Sequence, residues 1–272
     1  MITLHRNKER HHGWCRKHEV WLTFHPQHHT DPLAVGFGTL AFLYEIQLSP
    51  GRGTIPQLLD EAEIVTYVYK GALARKDSTG RSGVVHAGEF QRLTTGNGIR
   101  HRETNASRRN WAHIFRISLG SPMAGISCAQ EQKHFSVAQR SNLLCVVASP
   151  DGRKGSLRIH QDALIYSGIL DQGHHAIHEL LPGRCAWLHI ICGEATLNDI
   201  VLTRGDSAGF RTEPSVSLTA HENTEILLVD LGTAPRSFEL TTDNCLRGRA
   251  GPQATGPTQR QLGEENYATP KQ

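Results

Sequence analysis

The residues with the clearest chemical potential stand in pairs, two positions apart, in extended segments. His101 and Glu103 have this spacing in GIRHRE, and Gln57 and Leu59 have it in IPQLLDEAE. Because residues two apart on a strand project to the same face, each pair can point into one cavity. An imidazole and a carboxylate can bind a transition metal there or hydrogen-bond each other, whereas an amide is a weak donor and an alkyl group is none. Glu63 follows as a candidate acid or base beside the cavity, or as a solvent-facing or turn-adjacent charge at the start of a strand.

Short extended segments bounded by turn residues must position these side chains. Residues 64–69 are β-branched or aromatic and end at a Lys-Gly turn, and residues 187–192 end at a Gly-Glu turn. The stretches YVYKGAL…VVHAGEF and HIICGEA…VLTRGDS share one order of strand, glycine turn, strand, turn and a glycine followed by an acid. Short strands with frequent turns are typical of sandwiches and barrels, and a repeated order indicates tandem copies. We therefore predict an all-β chain of two similar domains, residues 1–139 and 140–242.

Composition restricts the function classes. The chain has 272 residues and a net charge of only +3, with its basic residues scattered, so direct nucleic-acid binding is not expected. Its longest apolar runs are far shorter than the roughly 20 residues that a membrane helix needs, and no apolar secretory segment is visible at the N-terminus. The six cysteines form no CxxC pair, which favours a reducing, cytoplasmic location. We expect a monomer, and we expect residues 243–272, rich in Gly, Pro, Gln and Thr, to form a flexible tail.

The sequence resembles the pirin family of bicupins. The segments HHTDPLAVGFGTL, EIVTYVYKGALARKDSTG, AGEFQRLTTGNGIRHRE and EQKHF carry the resemblance over nearly all of residues 14–135. In the second half it rests on LLPGRCAWLHIICGEATLN and LTAHENTEILLVDL. The resemblance implies two tandem cupin, jelly-roll-like β-barrels with one metal site in the first. Family members include iron-binding nuclear proteins that modulate transcription factors and bacterial quercetin 2,3-dioxygenases.

The resemblance also implies which residues would hold the metal. The family's site is built from His-Pro-His on one strand and His-x-Glu on a later one. His101 and Glu103 match the second pair, but Gln57 and Leu59 stand where the two histidines are expected. We therefore predict a degenerate site, in which His101, Glu103 and, weakly, Gln57 hold iron or another divalent transition metal with low affinity. The alternative is an inherited pair that binds no metal.

These residues leave more than one function open. The first hypothesis is a small-molecule-binding or regulatory protein, whose partner is a small aromatic molecule or another protein. The second is a metal-dependent, quercetin 2,3-dioxygenase-like enzyme that uses Glu103, Glu63 and an unconventional ligand, Gln57 or His113. The third is an interaction role through the exposed surface alone. A metal site in the second domain is not expected, because no His-x-Glu follows His175 and His178.

Overall fold

The computed structural model describes residues 1–15, 18–26, 31–54, 56–59, 62–96, 98–120 and 125–232. Strands make up almost all of its regular structure, so the predicted all-β class is confirmed. The predicted tail, residues 243–272, lies outside these ranges. Within the described residues, no helix is both long and apolar enough to cross a membrane.

The first barrel combines a seven-stranded and a four-stranded sheet. The seven-stranded sheet has the order β12-β9-β6-β11-β4-β3-β2, and the four-stranded sheet has the order β5-β10-β7-β8. The strands are β2 (His11–Cys15), β3 (His18–Leu22), β4 (Leu40–Leu48), β5 (Gln57–Leu59), β6 (Glu63–Lys70), β7 (Ala72–Asp77), β8 (Ser82–His86), β9 (Glu89–Thr94), β10 (Ile99–Asn105), β11 (Ala112–Leu119) and β12 (Ala129–His134).

The second barrel repeats this arrangement, with sheets β1-β20-β17-β22-β15-β13-β14 and β16-β21-β18-β19. A short helix, α1 (Val137–Arg140), precedes its main run of strands. The strands are β1 (Ile2–His5), β13 (Cys145–Ser149), β14 (Leu157–Arg158), β15 (Ala163–Leu170), β16 (His175–Glu179), β17 (Cys185–Cys192), β18 (Glu194–Leu197), β19 (Ile200–Thr203), β20 (Ser207–Phe210), β21 (Ser215–Ala220) and β22 (Thr224–Leu231). The boundary between residues 139 and 140 stays a prediction, but β1 pairs with β20 although it precedes the first barrel in sequence.

The repeated glycine turns have a steric cause. Gly71 joins β6 to β7 at a φ of +80°, and Gly193 joins β17 to β18 at a φ of +85°. A Cβ atom would lie 2.8 Å from the Trp111 carbonyl oxygen at the first turn and 2.5 Å from the Asn223 carbonyl oxygen at the second. Both the left-handed backbone and the close approach therefore require glycine. The sequence repeat thus corresponds to the same turn in each barrel.

The two barrel interiors differ in polarity. In the second barrel, a large cluster of buried apolar side chains fills the interior, with Leu188, Ile190 and Phe210 among its members. In the first barrel, the apolar side chains form two smaller clusters, which leave room for buried charged residues such as His101 and Glu103. The interior of the first barrel is therefore the place where polar chemistry can occur.

Candidate functional site

Strand β10 directs His101 and Glu103 into the first barrel. Burial alternates along the strand: His101 is 5% exposed and Glu103 is 3% exposed, whereas Arg100 and Arg102 face solvent. This period of two is the consequence of strand geometry on which the sequence prediction relied. The predicted pair therefore shares one buried face.

The neighbouring strands define what surrounds this pair. On β5, Gln57 lies opposite His101 and Leu59 lies opposite Ile99. The backbone register therefore places the two departures from the family pattern on the strand that pairs with His101 and Ile99. Leu59 packs against the apolar cluster around Ile64 and Ile99. It supplies a hydrophobic contact where a metal site would need a donor.

Arg116 forms a buried ion pair with Glu103. Its side chain extends from β11 on the opposite sheet, and its Nη2 donates to Oε2 of Glu103. Burial by itself raises the pKa of the Glu103 carboxyl, but the charge and hydrogen bond of Arg116 and the other positive charges nearby together outweigh that effect and hold the pKa below its usual range. The Glu103 carboxylate is therefore charged and is paired with the Arg116 guanidinium. Between His101 and Glu103 the structure shows no hydrogen bond in the part of the chain that it describes.

His101 has the opposite character. Burial lowers the pKa of its imidazole. The charge of Glu103 opposes this effect and those of Arg116 and Arg75 add to it, so the pKa stays below its ordinary value and the neutral ring predominates at neutral pH. Its Nε2 atom is buried and has no hydrogen-bond partner among the described residues. One ring nitrogen is therefore available to a ligand.

The described side chains do not make up the donor set that transition metals take in proteins. No three His, Cys, Asp or Glu side chains of the described residues converge as a metal site. One available imidazole is present, the carboxylate is neutralised by Arg116, and a second buried guanidinium, Arg75, lies directly opposite Glu103. The carboxylates of Glu103 and Asp77 balance the two guanidiniums, so the charges here do not by themselves exclude a cation.

Glu63 does not lie beside His101. It is fully buried on the face of β6 that contacts the second barrel, where Oε2 accepts hydrogen bonds from the backbone N–H of His160 at 2.8 Å and of Gln161 at 3.1 Å. The solvent-facing alternative is therefore wrong, whereas its place as the first residue of β6 agrees with a charge at the start of a strand. Its role as a catalytic acid or base stays a prediction, which this position between the barrels does not favour.

The other candidate histidines are also engaged elsewhere. His113 Nε2 lies 2.8 Å from Oε1 of Glu45, which also binds Arg10, so the structure does not bring His113 to His101 as a substitute ligand. In the second barrel, His178 Nε2 lies 2.8 Å from Oδ2 of Asp230. Each of these two rings therefore has a carboxylate partner.

Sequence reasoning missed the charged residues around the pair. Arg75 and Asp77 lie on β7 opposite Glu103 and His101, and Arg116 reaches across from β11. A signal was present for Arg116, because it is the one charged residue within the apolar run AHIFRISL. A charge inside an otherwise apolar strand indicates a buried partner.

Comparisons with known proteins agree with this architecture. Residues 4–118 match the family model for pirin, and residues 146–231 match the model for the quercetinase C-terminal cupin domain. The quercetin 2,3-dioxygenase of Escherichia coli (strain K12) is 34% identical over 236 residues, which cover 85% of this chain and 99% of that protein. A pirin-like protein of Caulobacter vibrioides is 30% identical over 221 residues, covering 80% of this chain and 93% of that protein.

Solved structures give the same result. YhhW from Escherichia coli superimposes with a TM-score of 0.81 at 32% identity, covering 87% of this chain and 100% of that chain. A second structure, of the bacterial pirin YhhW in complex with nickel(II), gives a TM-score of 0.79 at 32% identity, with 86% and 100% covered. The bicupin fold is therefore confirmed.

Proposed function

The chain belongs to the pirin family of bicupins, and from that premise we propose that it is a member whose first barrel works without a tightly held metal ion. Its cavity binds a small molecule instead, in a binding or regulatory role. Its partners are a small aromatic or other organic molecule and, through such binding, another protein. The degenerate ligand positions Gln57 and Leu59 support this function.

The observation that carries the proposal is the buried Arg116–Glu103 ion pair. Breaking such a pair by removing one partner typically costs about 3–5 kcal/mol, because the other charge is left buried and uncompensated. A metal ion that took Glu103 as a ligand would have to offset that cost, and it would have fewer donor side chains than the family's ligand pattern supplies. The guanidinium of Arg116 occupies the electrostatic role that a bound cation would have.

Elemental analysis of three proteins tests this proposal. The parent, the double variant Gln57→His/Leu59→His, and the triple variant that adds Arg116→Gln are purified without chelators and then incubated with Ni²⁺, Fe²⁺ or Mn²⁺. We expect substoichiometric metal in the parent, little gain in the double variant, and clear uptake only in the triple variant, because both the donors and the free carboxylate are then present.

The control for this experiment is His101→Ala in the triple variant, which should abolish the uptake. Arg102→Gln replaces Arg116→Gln in a matched variant, because it makes the same charge change on the exposed face of β10. Stoichiometric metal in the parent that is lost on His101→Ala would contradict the proposal.

A second candidate function is a quercetin 2,3-dioxygenase-like enzyme. The observation in its favour is the 34% identity to the Escherichia coli protein of that name. Oxygen consumption with quercetin, measured with Fe, Mn, Co, Ni and Cu each supplied, separates the two. Turnover above background that depends on His101 and Glu103 would establish the enzyme, whereas background rates with every metal support the metal-independent binding protein.

A further inference from the structure

Three polar side chains share the inner face of β7 and β10, next to the Arg116–Glu103 pair. Arg75 and Asp77 are two apart on β7, and His101 lies directly opposite Asp77. His101 is 5% exposed and the other two are 7% exposed. Each carries a buried atom without a hydrogen-bond partner among the described residues, namely Arg75 Nε, Asp77 Oδ2 and His101 Nε2. Because unpaired buried polar groups are costly, three of them on one face indicate a site that a polar ligand completes.

Arg75 is a buried cation without an ion pair to any carboxylate of the described residues. Its Nη2 donates to Oε1 of Gln130, which is a neutral amide. Glu103, the carboxylate directly across from it, is held by Arg116. Burial lowers the pKa of the Arg75 guanidinium, and the charges of Asp77 and Glu103 oppose that effect without cancelling it. A guanidinium in this state favours an anion, and its planar fork matches a carboxylate.

Gly83 contributes no side chain beside this guanidinium. Gly83 lies opposite Arg75 on β8. A Cβ atom at Gly83 would lie 4.0 Å from Arg75 Nε. A side chain at this position would therefore begin in van der Waals contact with the edge of the guanidinium that carries Nε.

Asp77 adds an acceptor to the same face. Its Oδ1 is used by the following turn, where it accepts from the backbone N–H of Thr79 at 2.9 Å and of Arg81 at 3.1 Å. Its Oδ2 remains for a ligand. A bare carboxylate would be repelled by this oxygen, but a hydroxyl or amino group next to the carboxylate would donate to it.

We propose that Arg75, Asp77 and His101 form a binding site for a small carboxylic acid that carries a hydroxyl or amino group on the carbon next to the carboxylate. Arg75 and His101 bind the carboxylate, and Asp77 accepts a hydrogen bond from the adjacent group. This inference rests on the proposed metal-independent function, because it gives the ligand class of the same cavity.

Isothermal titration calorimetry on the full chain, first shown to be metal-free by elemental analysis, tests the ligand class. The probes are lactate, propionate, which lacks the hydroxyl, and 1,2-propanediol, which lacks the carboxylate. We expect lactate to bind at least about tenfold more tightly than either analogue, because a site with buried polar groups rejects a ligand that leaves one unpaired. Alanine in the same titration separates an amino from a hydroxyl preference.

Variants assign the two halves of the site. Arg75→Gln should weaken both lactate and propionate at least about tenfold, since it removes the charged partner of the carboxylate. Asp77→Asn should remove the preference for lactate over propionate, while its remaining Oδ1 still accepts the hydrogen bonds of the turn. Arg102→Gln makes the same charge change on the exposed face of β10 and should alter nothing.

The acid titrations test this inference, and the metal analysis tests the proposed function separately. Lactate binding no tighter than that of propionate, equal affinities in Arg75→Gln and Arg102→Gln, or no binding of any acid to the metal-free protein would each overturn the inference. If Arg75→Gln does not fold, Arg75→Lys keeps the charge without the fork and should still weaken lactate measurably. Stoichiometric metal in the purified parent contradicts the proposed function alone, whatever the acids do.

Discussion

Arg116 changes what Glu103 can do. A carboxylate at the end of a cupin strand can serve as a ligand, a base or an ion-pair partner, and the choice depends on which charge lies nearest. Here the nearest charge is a buried guanidinium, and it lowers the pKa of the carboxyl. The residue that decides the chemistry of the site is therefore one that comparison of the ligand motif alone would overlook.

His189 provides a pH-dependent prediction at the residue scale. Its ring is fully buried, its Nδ1 lies 2.8 Å from Oγ of Ser207, and burial lowers the pKa of the ring from 6.5 to about 3. Between about pH 3 and pH 6.5, His189 is protonated in the unfolded chain but neutral in the folded chain, so the free energy of unfolding rises with pH. The contribution is complete above about pH 6.5 and is lost as the pH falls towards 3.

Urea unfolding at pH 7, 6, 5 and 4 measures this effect. We expect His189→Gln to remove a slope of up to about 1.4 kcal/mol per pH unit from the parent profile between these values. His175→Gln, at an exposed position, should leave the slope unchanged. A parent-like slope in His189→Gln would refute the assignment.

Strand β1 pairs with a strand that lies far from it in the sequence. Ile2 pairs with Phe210 and His5 pairs with Ser207, so β1 closes the edge of a sheet whose other strands follow the first barrel. Ile2 and Leu4 pack against the apolar cluster inside the second barrel. Without β1, strand β20 would expose its backbone donors and acceptors.

Deletion of residues 1–5 tests the contribution of β1. We expect a lower urea midpoint and concentration-dependent association, because β20 becomes an unprotected edge. The matched point variant is Leu4→Asp, which keeps the strand but places a charge against the apolar cluster and should cost about 2–3 kcal/mol. Unchanged midpoints in both proteins would show that β1 does not stabilise the barrel.

The sequence was informative where one strand face is buried and less so where both are. On β10 the alternation of buried and exposed residues placed His101 and Glu103 correctly. On β6 nearly every residue is buried, because one face lines the barrel and the other contacts the second barrel. Periodicity then gives no means of telling which face Glu63 occupies.

Long-range contacts were beyond local pattern reasoning for a related reason. Arg116 on one sheet forms an ion pair with Glu103 on the facing sheet. Strand β1 pairs with β20 although the whole first barrel lies between them in the sequence. Turn residues and strand periods specify neighbours along the chain, but they do not specify which sheet faces which. The two barrels were predictable from the repeat, whereas the residues between and across them were not.

At the scale of the whole molecule, buried polar contacts join the two barrels. The Tyr67 hydroxyl and Arg140 Nη1 both donate hydrogen bonds to Oε1 of Glu225, the second at 2.7 Å. Oε2 of Glu63 accepts a hydrogen bond from the backbone N–H of His160. The largest apolar cluster also includes residues of both barrels, among them Phe115 and Trp187. Separation of the barrels would expose these charges and this surface together.

We therefore expect residues 1–232 to unfold in one cooperative transition. Differential scanning calorimetry should give a ratio of calorimetric to van't Hoff enthalpy near one. Arg140→Gln should lower the midpoint of that single transition, by about 3–5 kcal/mol in stability, because it leaves Glu225 buried without its cation. Arg153→Gln, whose partner Asp151 is exposed, is the control. Two resolved transitions in the parent would contradict this expectation.

The placement of β1 has a consequence for biosynthesis. Its partner β20 begins at Ser207, so about two hundred residues are translated between the two strands. At typical elongation rates of roughly 5–20 residues per second, β1 emerges from the ribosome about 10–40 s before the strand that receives it. During that interval the nascent chain carries an unpaired β-segment beside a barrel that can already close, and a chaperone that occupies residues 2–5 would protect it until the second barrel is made.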